Sequence, residues 1–187
     1  MSEIITATKI KMISDALVLC GEKPMNSLSD NRYGATVGAN LFELLYENEI
    51  QSNRWRFACT KKQLGRLTNS PLNEWQYAFQ KPPECLLPLG AYPRVNYEIY
   101  GDHVYTNEAA FALEFMFKPD INKIPAYFNL LMVYQLAQNM IKPVTESDTA
   151  VTVMNKAYTR QRGIAMFADA QGRPNKPIVD SPFTDNR

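Results

Sequence analysis

Two stretches near the start of the chain place apolar side chains at the three- and four-residue spacing of amphipathic helices. The first predicts a helix over residues 3–20, ended by Gly21. The second predicts a helix over residues 30–51, with Asp30 as its N-cap residue. Gly38 and its small neighbours predict a close crossing with another helix. The predicted core-facing side chains are Ile10, Ile13, Leu17 and Cys20 in the first helix, and Tyr33, Val37, Leu41, Leu44 and Leu45 in the second.

Residues 54–117 change to the two-residue alternation of β-strands, interrupted by proline and glycine. The pair Gly101 and Asp102 predicts a two-residue hairpin turn. With aromatic side chains on one side, the predicted antiparallel sheet needs a helix or a neighbouring chain to cover it. The alternating residues are Trp75, Tyr77 and Phe79, then Val95, Tyr97 and Ile99, then Phe111, Leu113, Phe115 and Phe117.

Two more helices are predicted after the strands. Residues 124–142 are apolar almost all round, which indicates a central helix, and Pro143 is predicted to end it. Residues 146–171 form the fourth predicted helix, starting at Thr145 or Ser147. Its predicted core-facing residues are Ala150, Val153, Met154, Ala157, Tyr158, Ile164, Ala165 and Ala168.

The predicted fold class is α+β. Residues 1–172 are expected to form one domain, a four-helix bundle with a small antiparallel β-sheet lobe inserted between helices two and three. Residues 173–187 contain three prolines and few large apolar side chains, so an extended C-terminal tail is predicted there.

Length and charge exclude several classes of protein. The chain has 187 residues, with 20 Lys and Arg against 19 Asp and Glu, which argues against a dedicated nucleic-acid binder. No apolar run approaches the roughly 20 residues of a membrane span, and an acidic residue stands where a secretory signal needs basic ones. Three cysteines at wide spacing indicate reduced thiols in a cytosol.

Catalytic and metal-binding patterns are missing from the sequence. His103 is the only histidine, so a metal site built on histidines is excluded, and a surface turn is the simplest interpretation of this residue. Glu43 and Glu47 lie four residues apart without a histidine partner and are expected to face solvent or another subunit. No phosphate-binding loop or nucleophile elbow is present. We therefore predict no catalytic, cofactor-binding or metal-binding residue, and not an enzyme.

One segment, residues 53–81, is strongly basic, with six basic residues against a single acidic one, and aromatic residues lie between them. This pattern is typical of nucleic-acid contact, and equally of a half-buried strand with basic side chains reaching solvent. A nucleic-acid-binding module is therefore the alternative function. The candidate DNA contacts are Arg54, Arg56, Lys61, Lys62 and Arg66.

Short segments spread over most of the chain, in a fixed order, carry a family resemblance. They are Leu19-Cys20-Gly21-Glu22-Lys23-Pro24 with Asn26-Ser27-Leu28, then Trp55-Arg56-Phe57, Leu86-Leu87-Pro88, and Tyr100-Gly101-Asp102 with Val104-Tyr105-Thr106-Asn107. Leu136-Ala137 with Lys142-Pro143-Val144-Thr145 follows, and then Ala168-Asp169-Ala170-Gln171-Gly172-Arg173-Pro174. Their order and separation resemble the tail tubular protein A family, the head-to-tail adaptors of short-tailed bacteriophages.

The resemblance implies a structural protein without catalytic activity. It implies a ring of twelve identical subunits that joins the portal protein to the sixfold tail nozzle protein, with genomic DNA passing through the lumen. The implied location is the virion tail at the portal vertex, after assembly in the host cytoplasm. The basic residues of segment 53–81 are then candidate lumen contacts, and Ile178, Val179 and Phe183 are candidate anchors on the portal or a neighbouring subunit.

Overall fold

The computed structural model describes residues 2–68, 71 and 74–172, and these contain four α-helices and six β-strands. Two helices come first in the chain, then the six strands, then two more helices, so the predicted α+β class is confirmed. The helices are α1 (Ser2–Leu19), α2 (Tyr33–Gln51), α3 (Ala126–Thr145) and α4 (Asp148–Gln171). The strands are β1 (Cys59–Gln63), β2 (Tyr77–Gln80), β3 (Leu87–Tyr92), β4 (Tyr97–Tyr100), β5 (His103–Thr106) and β6 (Ala112–Met116).

The first two helices pack closely because α2 has glycines where they cross. A Cβ atom added at Gly38 would lie 2.6 Å from Cγ2 of Ile13 and 3.0 Å from Cε of Met140. One added at Gly34 would lie 2.9 Å from Cδ2 of Leu17. Carbon atoms in contact are about 3.5–4 Å apart, so larger side chains would push the helices apart. The predicted close crossing is confirmed, and Ile13 and Leu17 are fully buried as predicted.

The predicted core-facing side of α2 is wrong at two positions. Tyr33 and Leu44 are 64% and 66% exposed, and the buried side runs instead from the two glycines to Phe42 and Tyr46. Counting large apolar side chains misses a helix face that is buried through glycine, because glycine has no side chain to count. The prediction therefore followed the apolar side chains on the neighbouring side of the helix.

Two predicted helix ends also differ from the structure. The backbone N–H of Arg32 donates to Asp30 at 3.0 Å, which forms a turn before the helix, so α2 begins at Tyr33. The third helix does not end at Pro143, because a proline near a helix end has a helical φ and removes only one backbone hydrogen bond. Glu146, in the left-handed conformation with a φ of 55°, ends α3.

The third helix is the central one, as predicted, since it contacts α1, α2 and α4. Phe128, Leu131 and Leu136 of α3 are fully buried. Trp55, from the chain between α2 and β1, packs edge-on against Phe128 with 5.2 Å between ring centroids. The helical core therefore extends to the residues that lead into the first strand.

The fourth helix packs on α3 along a narrow buried stripe. Val153 and Ile164, predicted to face the core, are 62% and 49% exposed, because only one side of α4 can face α3. Ser147, one of the two predicted start residues, caps the helix by accepting the backbone N–H of Ala150 at 3.3 Å. The predicted tail, residues 173–187, lies outside the described residues. The buried residues of α4 are Met154, Gln161, Ala165 and Asp169.

The strands form two antiparallel three-stranded sheets, in the orders β1-β6-β3 and β2-β5-β4. The predicted hairpin joins β4 to β5, with Tyr100 paired with His103. Gly101 in this turn has a φ of 58°, which glycine adopts without strain. An isolated bridge between Arg66 and Phe79 links the segment after β1 to β2.

The aromatic side of the strands is covered by a second sheet. Phe111, Leu113 and Phe115 pack in one cluster with Phe79 and Val104 of the other sheet. The prediction that a helix or a neighbouring chain covers this side is therefore wrong. A two-residue alternation identifies a buried face, but it does not show whether the strands belong to one sheet or to two. Among the described residues, no helix combines the length and the apolar character that crossing a bilayer requires.

Candidate functional site

Two basic candidates from segment 53–81 share one carboxylate. The guanidinium of Arg54 hydrogen-bonds to Glu114 on β6, and Nζ of Lys61 lies 3.4 Å from the other oxygen of the same group. Burial raises the pKa of Glu114, but Arg54 and Lys61 outweigh it, so the pKa of this carboxyl is lowered overall. Arg54 and Arg94 line an open cavity of about 470 Å³. Arg94 has no ion pair among the described residues.

The other basic side chains of the segment also have partners in the chain. Lys62 forms an ion pair of 2.8 Å with Glu84. The guanidinium of Arg66 lies over the ring of Tyr77 at 4.1 Å from its centroid. The ion pairs of Arg54, Lys61 and Lys62 with acids of the same chain thus leave less positive charge for phosphate than the sequence indicates.

Arg56, the remaining candidate, lies at the C-terminal end of α4. Its guanidinium lies against Gly172, where a Cβ atom would clash with it. A cation at this position interacts favourably with the negative end of the helix dipole. Its backbone N–H also donates to the carboxylate of Asp169, 3.2 Å from both oxygens. The structure therefore places Arg56 at a contact between the start of the β region and the last turn of α4.

The aromatic residues of the segment do not form one exposed stacking surface. Trp55 is fully buried in the helical core, and its indole N–H donates to the backbone oxygen of Glu49 at 2.8 Å. Trp75, by contrast, donates its indole N–H to Glu98 of β4 at 3.1 Å. Single-strand binding proteins present successive aromatic rings along a basic groove, whereas here Trp55 and Phe57 pack in the helical core and Tyr77 packs between the two sheets.

A buried carboxylate on α2 joins this helix to α4. Glu49 is 1% exposed and accepts hydrogen bonds from the hydroxyls of Tyr158, at 2.8 Å, and Ser52, at 3.1 Å. Nε of Arg162 lies 3.5 Å from the same carboxylate. Burial, together with the bond to Glu49, raises the pKa of Tyr158 well above its usual range, so the phenol stays protonated and donates. The contacts from Tyr158, Ser52 and Arg162 compensate the negative charge of Glu49, which would otherwise be costly to bury.

A second buried carboxylate, Asp169, joins α4 to α3 and to the start of the β region. It is 6% exposed and accepts the hydroxyl of Tyr127 at 2.7 Å in addition to the N–H of Arg56. Burial, with the bond to Asp169, raises the pKa of Tyr127 as well. Neither carboxylate was predicted as a site residue. The available signal was their position, since both Glu49 and Asp169 fall on the buried stripe of an amphipathic helix.

The acidic pair on α2 is bound within the chain. Lys118 lies 2.9 Å from Glu43 and 2.8 Å from Glu47, and Lys9 of α1 lies 2.9 Å from Glu43. Burial lowers the pKa of Lys118, but the hydrogen bonds that it donates to Glu47 and Glu43 outweigh burial and raise the pKa overall. The two glutamates thus connect α1, α2 and the residues after β6.

The histidine and the thiols form no nucleophilic pair in the described residues. His103 begins β5 and lies beside the ring of Tyr105, with 6.2 Å between centroids. Burial, with Glu22 nearby, raises the pKa of Cys20 to about 11, and burial also raises the pKa of Cys59 and Cys85. These thiols are therefore protonated at neutral pH, whereas a reactive cysteine has a lowered pKa.

The comparisons with known proteins identify no family for this chain, because neither a family model nor a curated protein matches it. The resemblance to the tail tubular protein A family therefore depends on the short sequence segments alone. The site itself consists of contacts that hold helices and strands together, and its carboxylates already have hydrogen-bond donors from the same chain.

Proposed function

We propose that this chain is a structural virion protein, a head-to-tail adaptor that forms a ring between a portal and a tail nozzle and leaves a channel for DNA. In this proposal the helices form a four-helix bundle and the strands form a lobe inserted between α2 and α3. The ring contains twelve copies, assembles in the host cytoplasm and is located in the virion tail at the portal vertex. The protein has no catalytic role.

The position of the resembling segments supports this proposal. Several coincide with turns that end a helix or join two strands. The first follows the end of α1, another forms the β4–β5 hairpin, and the last two contain the ends of α3 and α4. Turn residues fix the path of the chain between elements, so a shared order of turns is the pattern expected of a shared fold. This agreement is the observation that carries the proposal.

The charge distribution is compatible with DNA sliding through a lumen. The candidate contacts are Arg54, Arg56, Lys61, Lys62 and Arg66, and three of them form ion pairs with Glu114 or Glu84. Partly neutralised basic groups attract phosphate weakly, whereas unpaired ones would hold the DNA. The anchors proposed for the portal or a neighbouring subunit, Ile178, Val179 and Phe183, lie outside the described residues.

Native mass spectrometry of the chain mixed with the portal protein encoded in the same genome tests the proposal. We expect a discrete complex with one copy of this chain per portal subunit, because an adaptor matches the symmetry of the ring on which it assembles. A full-length variant with Ile178, Val179 and Phe183 replaced by serine should bind less. If intact portal rings bind none of the wild-type chain, the adaptor proposal is wrong.

The nucleic-acid-binding alternative has less support, because Arg54, Lys61 and Lys62 are neutralised within the chain. It predicts salt-sensitive DNA binding by the isolated protein, which falls when Arg54, Arg56, Lys61 and Lys62 are replaced by alanine. An adaptor should bind free DNA weakly, and the alanine variant should then differ little from the wild type. Fluorescence anisotropy over a range of salt concentrations distinguishes the two functions.

A further inference from the structure

The outer face of the α3–α4 pair exposes large apolar side chains. Leu130 is 47% exposed, Val153 62%, Ile164 49% and Phe167 67%. The three residues of α4 fall on one side of that helix, because their spacings of 11 and 3 residues are close to whole numbers of turns. Leu130 and Ile164 lie at nearly equal distances from the short α3–α4 connection, so they are at the same level of the antiparallel pair. We call this surface the α3–α4 outer face.

Two basic side chains on the same face have no acidic partner. Lys156 and Arg160 are exposed and follow the same side of α4, between Val153 and Ile164. Neither forms a salt bridge with any described residue, in contrast to Arg162 of the same helix, which lies 3.5 Å from Glu49. A complementary occupant therefore combines large apolar side chains with carboxylates.

The C-terminal part of the sequence, which lies outside the described residues, has this combination. Ile178, Val179 and Phe183 are its large apolar residues, and Asp180 and Asp185 are its carboxylates. Residues 178–185 contain no lysine or arginine, and the basic residues of this part, Arg173, Lys176 and Arg187, lie on either side of them. We propose that residues 178–185 bind the α3–α4 outer face of their own chain. The apolar residues then contact Phe167, Ile164 and Leu130, and the aspartates pair with Arg160 and Lys156.

Chain length allows this contact within one molecule. Ile164 lies eight residues before Gly172, about 12 Å back along the axis of α4. Ile178 lies six residues after Gly172, which spans up to about 20 Å of extended chain. By the same measure, the extended chain from Gly172 to Asp180 spans up to about 26 Å. Lys156 lies about 24 Å from Gly172 along the helix, so Asp180 can reach it. A tether this short gives a local concentration on the order of millimolar, so a weak contact suffices.

The contact has a consequence for binding other proteins. Residues that occupy the α3–α4 outer face of the free chain are not available to a partner, so a partner that recruits them must first displace them. Such an intramolecular contact would keep the same anchors covered until a binding surface with higher affinity is present. The inference goes beyond the adaptor proposal and does not depend on it, because it concerns the free chain.

Hydroxyl-radical footprinting with mass spectrometry, performed on the full-length chain, tests the contact. The readout is the oxidation rate of Phe167, with Tyr33 and Tyr92 as internal references because they are 64% and 71% exposed and belong to other elements. Replacing Ile178, Val179 and Phe183 by serine should raise the rate at Phe167 several-fold and leave both reference rates unchanged. Circular dichroism should show unchanged helix content.

A charge exchange provides the matched control. The double variant Lys156→Glu with Arg160→Glu should raise the rate at Phe167 as the serine variant does, because four carboxylates then repel. Adding Asp180→Lys and Asp185→Lys should restore the low rate. Equal rates at Phe167 in the wild type and the serine variant would overturn the inference. If the protection of Phe167 disappears when the protein is diluted about hundredfold, the inference is also overturned, because the face is then covered by another chain.

Discussion

The hydroxyl of Tyr158 on α4 donates a 2.8 Å hydrogen bond to the carboxylate of Glu49 on α2. The two residues are 109 positions apart in the sequence, and the carboxylate is 1% exposed. A buried charge without donors destabilises a fold, so Glu49 is compatible with this core only because α4 and the Ser52 turn supply donors to it. The contact therefore couples the packing of α4 to the satisfaction of a buried charge on α2.

Removing the donor should destabilise the protein. Tyr158→Phe leaves Glu49 buried with one donor fewer, and we expect the free energy of unfolding to fall by about 1–3 kcal/mol. Urea denaturation followed by circular dichroism measures the change. Tyr134→Phe is the matched control, because Tyr134 is a half-buried tyrosine of α3 whose hydroxyl forms no hydrogen bond with any described residue. An equal loss in both variants would contradict the role of the Glu49 contact.

The Asp169 contact should hold the last turns of α4. Asp169→Ala removes the acceptor of the Arg56 N–H and the Tyr127 hydroxyl, so hydrogen exchange of the backbone amides near the end of α4 should accelerate. The loss of global stability should be about 1–3 kcal/mol, since two partly buried hydrogen bonds lose their acceptor. Ala170→Ser, at the exposed next position, serves as the control. Unchanged exchange in Asp169→Ala would show that the turn is held by other contacts.

The cluster around Lys118 predicts a dependence of stability on pH. Burial raises the pKa of Glu43, but hydrogen bonds from Lys9 and Lys118 outweigh it and lower the pKa overall. A carboxyl whose folded pKa is lowered stabilises the fold above its unfolded pKa of about 4.3, and this contribution disappears as the pH falls through the folded value. The pKa of Lys118 is raised, so its contribution is complete below about pH 10 and is lost as the pH rises further.

Lys118→Met should therefore reduce the free energy of unfolding at pH 7 by about 1 kcal/mol or less, because the cluster is partly exposed and screened by solvent. The difference between variant and wild type should become smaller as the pH falls below about 4 and through the lowered pKa of Glu43, because a protonated Glu43 no longer pairs with Lys118. Urea denaturation at pH 7 and in acid measures the difference in the free energy of unfolding between the variant and the wild type. Lys11→Met, at an exposed lysine of α1, should cause little change at either pH. A difference that stays constant in acid would contradict this account.

Two glycine-to-alanine substitutions, one at the helix crossing and one on α4, should change the stability of the protein in opposite directions. Gly38→Ala places a Cβ atom 2.6 Å from Ile13, so we expect a loss of about 1–3 kcal/mol from overpacking. Gly163→Ala adds a Cβ atom with no heavy atom within 4 Å on exposed α4 and should stabilise by about 1 kcal/mol through helix propensity. Thermal denaturation of both variants shows whether each one is less or more stable than the wild type. Stabilisation by both would mean that α1 moves away without cost.

The ion pairs of Glu114 predict latent affinity for nucleic acid. Glu114→Gln should leave Arg54 and Lys61 without their shared partner and thereby increase DNA affinity several-fold at low salt. Glu108→Gln, which removes an exposed acid without an ion pair among the described residues, is the control for net charge. Anisotropy titrations compare the two variants. Equal effects of both would show that net charge, and not the release of these two side chains, determines binding.

Local patterns predicted the elements better than their contacts. The stripe of Ile13 and Leu17 and the hairpin at Gly101 follow from spacing and turn chemistry, which depend on neighbours in sequence. The exposure of Leu44 and the two-sheet packing around Phe111 depend on which surfaces meet, and that information lies in residues distant in sequence. A polar residue on a buried helix stripe, such as Glu49, indicates a buried polar contact, but its partner Tyr158 is too distant in sequence to be identified by spacing.

The two carboxylate contacts fix the rotational phase of α4. Tyr158 contacts Glu49 and Asp169 contacts Arg56, and these two positions are 11 residues apart, which is close to three turns. A single residue inserted between them would rotate the second contact by about 100° relative to the first, so only one of the two could form. The number of residues between Tyr158 and Asp169 thus sets which side of the last turns of α4 faces α3 and the start of the β region.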